Sequence, residues 1–207
     1  GGGRLDPDTV VSEGSWDAAT AGTGCVLDGV DMAFDGRAPR SFSAVRPPGH
    51  HALRDRAMGF CLFGHVAIAA HYALATTACE RVLIVDWDVH HGNGTEAIVR
   101  GDESILFVSL HQWPYYPGTG GPDQSDATVL NIPLAAGSGD AAYADDAAVG
   151  RARREGAVDD AHEGMTGLAD VHQDDEERVD DVDRAHEGHD LLGGLGDALP
   201  KDEPVRR

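Results

Sequence analysis

Two short packets in this 207-residue chain carry side chains suited to chemistry. The first is Asp86-Trp87-Asp88-Val89-His90-His91, closed by Gly92-Asn93-Gly94-Thr95. Carboxylate and imidazole together suit zinc or a similar borderline divalent metal. The second is Arg46-Pro47-Pro48-Gly49-His50-His51-Ala52. Histidine is the side chain best matched to proton transfer near neutral pH, and here two stand side by side. Metal binding next to proton transfer is the chemistry these residues suggest. A strand ending in solvated polar groups and a structural histidine pair are the plainer alternatives.

Elements must bring the packets together. Val82 to Val85 are four apolar residues in a row, which predicts a strand buried on both faces at the centre of a parallel sheet. If the extended chain continues, side chains 86, 88 and 90 project to one side. They then converge at the carboxyl end of the strand, where open α/β sheets hold their ligands. The Pro-Pro-Gly run forces an extended and then sharply turning backbone, so His50 and His51 sit on a stiff loop. Further strands are expected near 42–45, 105–110 and 128–132. Ser15 to about Met32 predicts a helix capped by Ser15, and an almost wholly apolar stretch from about 64 to 79 predicts a buried one.

In order and spacing these segments resemble the zinc-dependent histone deacetylase superfamily, which includes acetylpolyamine amidohydrolases. The resemblance rests on Arg46–Ala52, Gly59–Ala70, Val82–Thr95, Val108–His111, Tyr115–Gly120 and Asn131–Asp140, and runs from about residue 5 to about 146. Trp87 and Asn93 are closer to the class II and bacterial branch. The resemblance implies a three-layer α/β sandwich with a mainly parallel sheet. It implies zinc held by Asp88 and His90, with His51 as general base and later acid, His50 as its electrostatic partner, and Asp86 orienting His50. It also implies a potassium-type cation site drawing on Asp86, Asp88, Ser109 and the main chain around His90 and Leu110. Gly59, Phe60 and Tyr116 become walls of a narrow substrate tunnel, while His91 and His111 are site-lining at best. The implied reaction is hydrolysis of the amide of acetylated lysine or acetylated polyamine by metal-activated water. An arginase-like manganese hydrolase and a catalytically dead, binding-only remnant are the competing readings.

The chain also departs from that family. The family's third zinc ligand is an aspartate after a further apolar strand, which would fall near 165–180. Residues Met165–Glu177 are expected to hold no strand before an aspartate, so the third ligand is not found. No tyrosine follows Tyr143, so the family's catalytic tyrosine has no counterpart. His65 stands where the family commonly has asparagine, and it is not read as a ligand. Residues 1–146 are therefore expected to form a partial deacetylase-like domain that begins abruptly. Residues 147–207, acidic and without aromatics, are expected to be a disordered or out-of-frame tail. The expected break lies at about 144–155, and the four tail histidines are incidental.

Composition sets the remaining bounds. A net charge of -20 argues against direct binding to a phosphate backbone. Cys25, Cys61 and Cys79 stand apart without a CxxC pair, which suggests reduced thiols and a cytoplasmic setting. No run approaches the roughly twenty apolar residues of a membrane span. Oligomeric state is not legible in the letters.

Overall fold

The computed structural model describes residues 2–143 and the backbone of 166–170. These belong to one compact unit, Gly1–His172. Its elements, in chain order, are β1 (Gly3–Arg4), β2 (Val10–Val11), α1 (Ser15–Phe34), α2 (His65–Thr76), β3 (Val82–Asp86), α3 (Asn93–Val99), β4 (Ile105–Gln112), β5 (Val129–Leu134), α4 (Asp140–Tyr143) and β6 (Thr166–Asp170). Strands β1 and β2 form a small antiparallel pair. The main sheet is parallel throughout, in the order β5-β4-β3-β6.

The apolar run of β3 lies at the centre of this sheet, as its composition demands. Val82 and Ile84 point to one face, where they pack with Phe107, Ile105 and Val129 under α1, α2 and α3. Burying a side chain such as Ile84 or Phe107 contributes about 1.5–3 kcal/mol. The alanines of α2 at 67, 69, 70 and 73 are buried, and such small side chains let the helix lie close to the sheet. Helix α1 buries Ala19, Gly22, Gly29 and Val30, with Ala19 and Gly22 three apart and Gly22 and Gly29 seven apart, so that they fall on one face. It is tied to α2 by the Tyr72 hydroxyl, which donates to Asp31 at 2.9 Å. On the other face, Val108, Leu110, Leu130 and Ile132 form a second cluster with Leu83, Val85 and Tyr143. The described residues thus supply a four-stranded parallel sheet with three helices packed on one face.

Four expectations need correction. Residues 42–45 are not a strand: Phe42 is 85% exposed, and the segment runs beside α1, where the Ser43 hydroxyl donates to the Cys25 carbonyl. Among the described residues no strand of either sheet pairs with this run. Ser15 does not cap α1. Gly14 is the N-cap, and Ser15 Oγ accepts the Ser12 N–H at 2.8 Å from within the first turn. Helix α2 stops at Thr76, where the Thr76 and Thr77 hydroxyls turn back to bond carbonyls four residues earlier.

The last correction concerns the carboxyl-terminal region. A strand does precede an aspartate there: Thr166–Asp170 pairs in parallel with β3, with Asp170 opposite Asp86. Five residues with only one large aliphatic side chain carry little strand signal alone, and a central strand with an open edge supplies their hydrogen bonds. The remainder of the predicted tail, its histidines and the expected break at 144–155 lie outside the described residues.

Candidate metal and proton-transfer site

Strand β3 ends at Asp86, so the ladder does not carry the alternation onward to 88 and 90. Carboxylates do so instead. Asp86 Oδ1 accepts the Asp88 N–H at 3.1 Å, and Asp88 Oδ1 accepts the His90 N–H at 2.7 Å. These two short-range bonds keep Asp86, Asp88 and His90 buried while Trp87 and Val89 face outward. Gly92 is required here, because a Cβ at that position would run into Asp86 Oδ2.

The histidine loop docks against the same strand end. The His50 carbonyl accepts the N–H groups of Gly94 and Thr95 at 2.8 and 3.0 Å, joining the loop to the first turn of α3. His50 Nδ1 lies 2.9 Å from Asp86 Oδ2, so the ring donates from Nδ1 to the carboxylate. His50 Nε2 is 4.0 Å from Asp88 Oδ1. The His50 and His51 rings stand 3.9 Å apart. His51 Nδ1 donates to Asn93 Oδ1 at 2.7 Å, and Asn93 Nδ2 points to the Met58 sulfur at 3.5 Å. The Nδ1–H tautomer leaves His51 Nε2 as the basic nitrogen. Burial, with the His50 imidazole beside it, pushes His51 down to about 3, so it is neutral at physiological pH.

Asp88 and His90 form the metal-binding half of the site. His90 Nδ1 lies 3.2 Å from Asp88 Oδ1. Burial works to raise the Asp88 pKa, but hydrogen bonds from His90 and the nearby His50 hold it below the ordinary carboxylate range. Asp88 Oδ2 is buried and has no hydrogen-bond partner among the described residues. An ionised oxygen in that position fits a cation. Among the described side chains no group of three metal-binding residues meets. The backbone of β6 ends at Asp170, on the strand beside β3 and level with Asp86.

Aromatic side chains surround this half. Tyr115 stacks on His90 at 5.0 Å, and Tyr116 stands edge-on to His51 at 5.1 Å and to His90 at 5.7 Å. Burial, then Asp8 and Asp6, pushes the Tyr116 hydroxyl up to about 12. Phe60 occupies φ 64 after Gly59 at φ 55, in a tight turn closed by reciprocal Met58 and Cys61 backbone bonds. Thr9 Oγ1 accepts the Phe60 N–H at 3.2 Å and so supports that strained turn from the amino-terminal loop. Gly59 packs against the His51 ring closely enough that a Cβ would clash with it.

The predicted residues therefore fall into three sets. His50, His51, Asp86, Asp88, His90 and Tyr116 converge, with Gly59 and Phe60 on the adjoining turn. Ser109 lies beside Asp86 by strand register, but its hydroxyl bonds His111 Nδ1 at 2.9 Å. The Leu110 side chain belongs to the opposite core. His91 and His111, expected to be site-lining at best, are fully buried and pair with each other, their rings 4.7 Å apart. Sequence reasoning missed Asn93 as the partner of His51, Thr9 as the support of Phe60, and Tyr143. Burial, then Asp88 and Asp86, raises the Tyr143 pKa. Only for Asn93 was there a signal, its position one turn past the metal packet.

Residues 2–149 match the model of the histone deacetylase domain family. An uncharacterised protein of Synechocystis is 54% identical over 145 residues, 69% of this chain and 47% of that protein. A histone deacetylase-like amidohydrolase of Pseudomonas aeruginosa is 43% identical over 149 residues, 69% of this chain and 39% of that one. The crystal structure of an acetylpolyamine aminohydrolase from Burkholderia pseudomallei superposes with a TM-score of 0.66 at 35% identity, covering 73% of this chain and 45% of that one. The chain thus spans less than half the length of these relatives.

Proposed function

The chain belongs to the histone deacetylase domain family, and on that premise we propose that it is a zinc-dependent deacylase cleaving acetylated lysine or acetylated polyamine. The observation that carries this reading is the buried Asp88–His90 pair facing the His50–His51 tandem, with Asp88 Oδ2 left for a cation. Asp88 and His90 would hold the zinc. When bound, zinc supplies Lewis-acid polarisation of the acyl carbonyl and a lowered pKa for attacking water.

The chain's own residues do the rest. His51 Nε2 takes the proton from water and returns it to the departing amine, since its Nδ1 is committed to Asn93. His50, held by Asp86, provides a neighbouring positive potential as charge develops. Tyr116 and Phe60 wall the slim apolar stem of the substrate. Potassium is proposed as a structural ion near Asp86 and Ser109, and a cytoplasmic setting is proposed from the separated cysteines.

Zinc stoichiometry measured together with turnover of an acetyl-lysine reporter tests the reading. One zinc per chain with turnover supports it. Two manganese ions would instead support an arginase-like hydrolase, and zinc without turnover a binding-only protein.

A further inference from the structure

Behind the metal half of the site lies a buried pair of imidazoles that the proposed chemistry does not use. His91 and His111 stand 4.7 Å apart. His91 Nε2 lies 2.9 Å from Glu96 Oε2, and His91 Nδ1 lies 2.7 Å from Thr119 Oγ1. Burial works to raise Glu96, but hydrogen bonds from His91, Asn131 and Arg100 pull it down to about 2. Its carboxylate is therefore an acceptor only, and His91 must donate to it from Nε2. That orients the ring and aims Nδ1 at the Thr119 hydroxyl.

His111 makes the matching contact one residue further on. Its Nε2 donates to the Gly120 carbonyl at 2.9 Å, and its Nδ1 accepts from the Ser109 hydroxyl at 2.9 Å. Gly120 sits at φ +77, and a Cβ there would come within 2.5 Å of His111 Nε2 and 2.6 Å of His91 Cδ2. The two rings therefore grip the Thr119-Gly120 backbone, which admits no side chain. The amino-terminal part of the same short loop carries Tyr115 and Tyr116, the rings that face His90 and His51. A turn bond from the Gly118 N–H to the Tyr115 carbonyl at 2.8 Å joins the two parts.

We propose that His91 and His111 are positioning residues that clamp the Thr119-Gly120 end of this loop and so set the aromatic wall of the site. The meaning of that wall as a substrate wall rests on the deacylase reading; the clamp itself does not. It requires neither metal nor turnover. Thr119→Val removes the hydroxyl that His91 holds while keeping the side-chain size, and Thr119→Ser restores it.

In the full metal-free chain, amide hydrogen exchange over residues 115–120 should speed up about fivefold in Thr119→Val, the loss of one net hydrogen bond, and return to the parent rate in Thr119→Ser. Unchanged exchange in Thr119→Val, or acceleration spread over the whole sheet, overturns the clamp. With zinc added, Thr119→Val should weaken octanohydroxamate about fivefold and leave acetohydroxamate unchanged, since only the longer probe reaches the wall. Equal weakening of both overturns the positioning role. If the parent chain binds neither probe, the deacylase reading falls, while the exchange comparison still decides the clamp.

Discussion

His51 and Asn93 are joined by a 2.7 Å hydrogen bond from imidazole Nδ1 to amide Oδ1, across 42 residues of chain. An uncharged acceptor fixes the tautomer without stabilising the imidazolium as a carboxylate would. His50 has a carboxylate, Asp86, in the equivalent place. The two adjacent histidines are thus given different environments, which suits one for proton transfer and the other for charge.

Replacing Asn93 by leucine keeps the volume and removes the acceptor. Turnover of an acetyl-lysine reporter should fall about 10- to 100-fold, as for other partners that orient site residues, with zinc affinity unchanged. Asn93→Asp should retain activity and move the rising limb of the pH profile upward, because an anion beside His51 favours its charged form. A leucine variant with parental turnover would remove His51 from the role of base.

Zinc binding should depend on Asp88 and His90. Asp88→Asn should weaken zinc by more than about 100-fold in chelator competition, since a ligand counts for more than its outer partners. His90→Asn should weaken it comparably. Parental zinc affinity in either variant would remove that residue from the metal site.

Gly59→Ala tests the turn that carries Phe60. The residue sits at φ +55, and its new methyl would meet the His51 ring. A non-glycine residue held there costs about 1–3 kcal/mol, to be read as a lower urea midpoint. A shift below about 0.5 kcal/mol, the range of neutral surface changes, would mean that the turn relaxes freely.

Acid should destabilise the fold from near neutrality downward. His51 and His111 lie at about 3 and about 4 in the folded chain against an ordinary 6.5, in both cases chiefly through burial. The unfolded chain therefore binds these protons first as pH falls below 6.5, so stability declines down through 4 and 3 and is untouched by them above 6.5. Glu96, at about 2 against 4.5, adds a loss in the same direction below 4.5. Urea midpoints of metal-free protein at about pH 7.5 and about pH 4.5 should differ clearly. His111→Asn should lessen the difference; a flat profile would contradict both buried neutral imidazoles.

His65 offers a test of the histidine loop's anchoring. Its Nε2 donates to the Pro47 carbonyl at 3.0 Å, and its Nδ1 meets the Thr23 hydroxyl at 2.9 Å, tying loop to α1. His65→Ala should cost about 2–3 kcal/mol, from two hydrogen bonds and a buried ring. His65→Asn, which keeps one donor and one acceptor, should recover part of it. A stable alanine variant would show that the loop holds its place without this tie.

Much of this protein was written in its letters. Val82–Val85 reads as a central strand, because four apolar, largely β-branched side chains in a row need cover on both faces. Asp88, His90, His50 and His51 were recognisable because ligand and proton-transfer chemistry is confined to few residue types. Other features had no local signature. Phe42–Val45 looks like a strand, yet a strand exists only where it is laid alongside another, and this run is placed beside α1 instead. Thr166–Asp170 looks like nothing in particular and becomes a strand because β3 presents an open edge. The pairing of His51 with Asn93, and the grip of His91 and His111 on Gly120, join segments far apart or turn on a backbone angle. Residue type and local pattern specify what a segment can do; which partner it meets is settled by packing, because hydrogen bonds and exclusion of water act between neighbours in space.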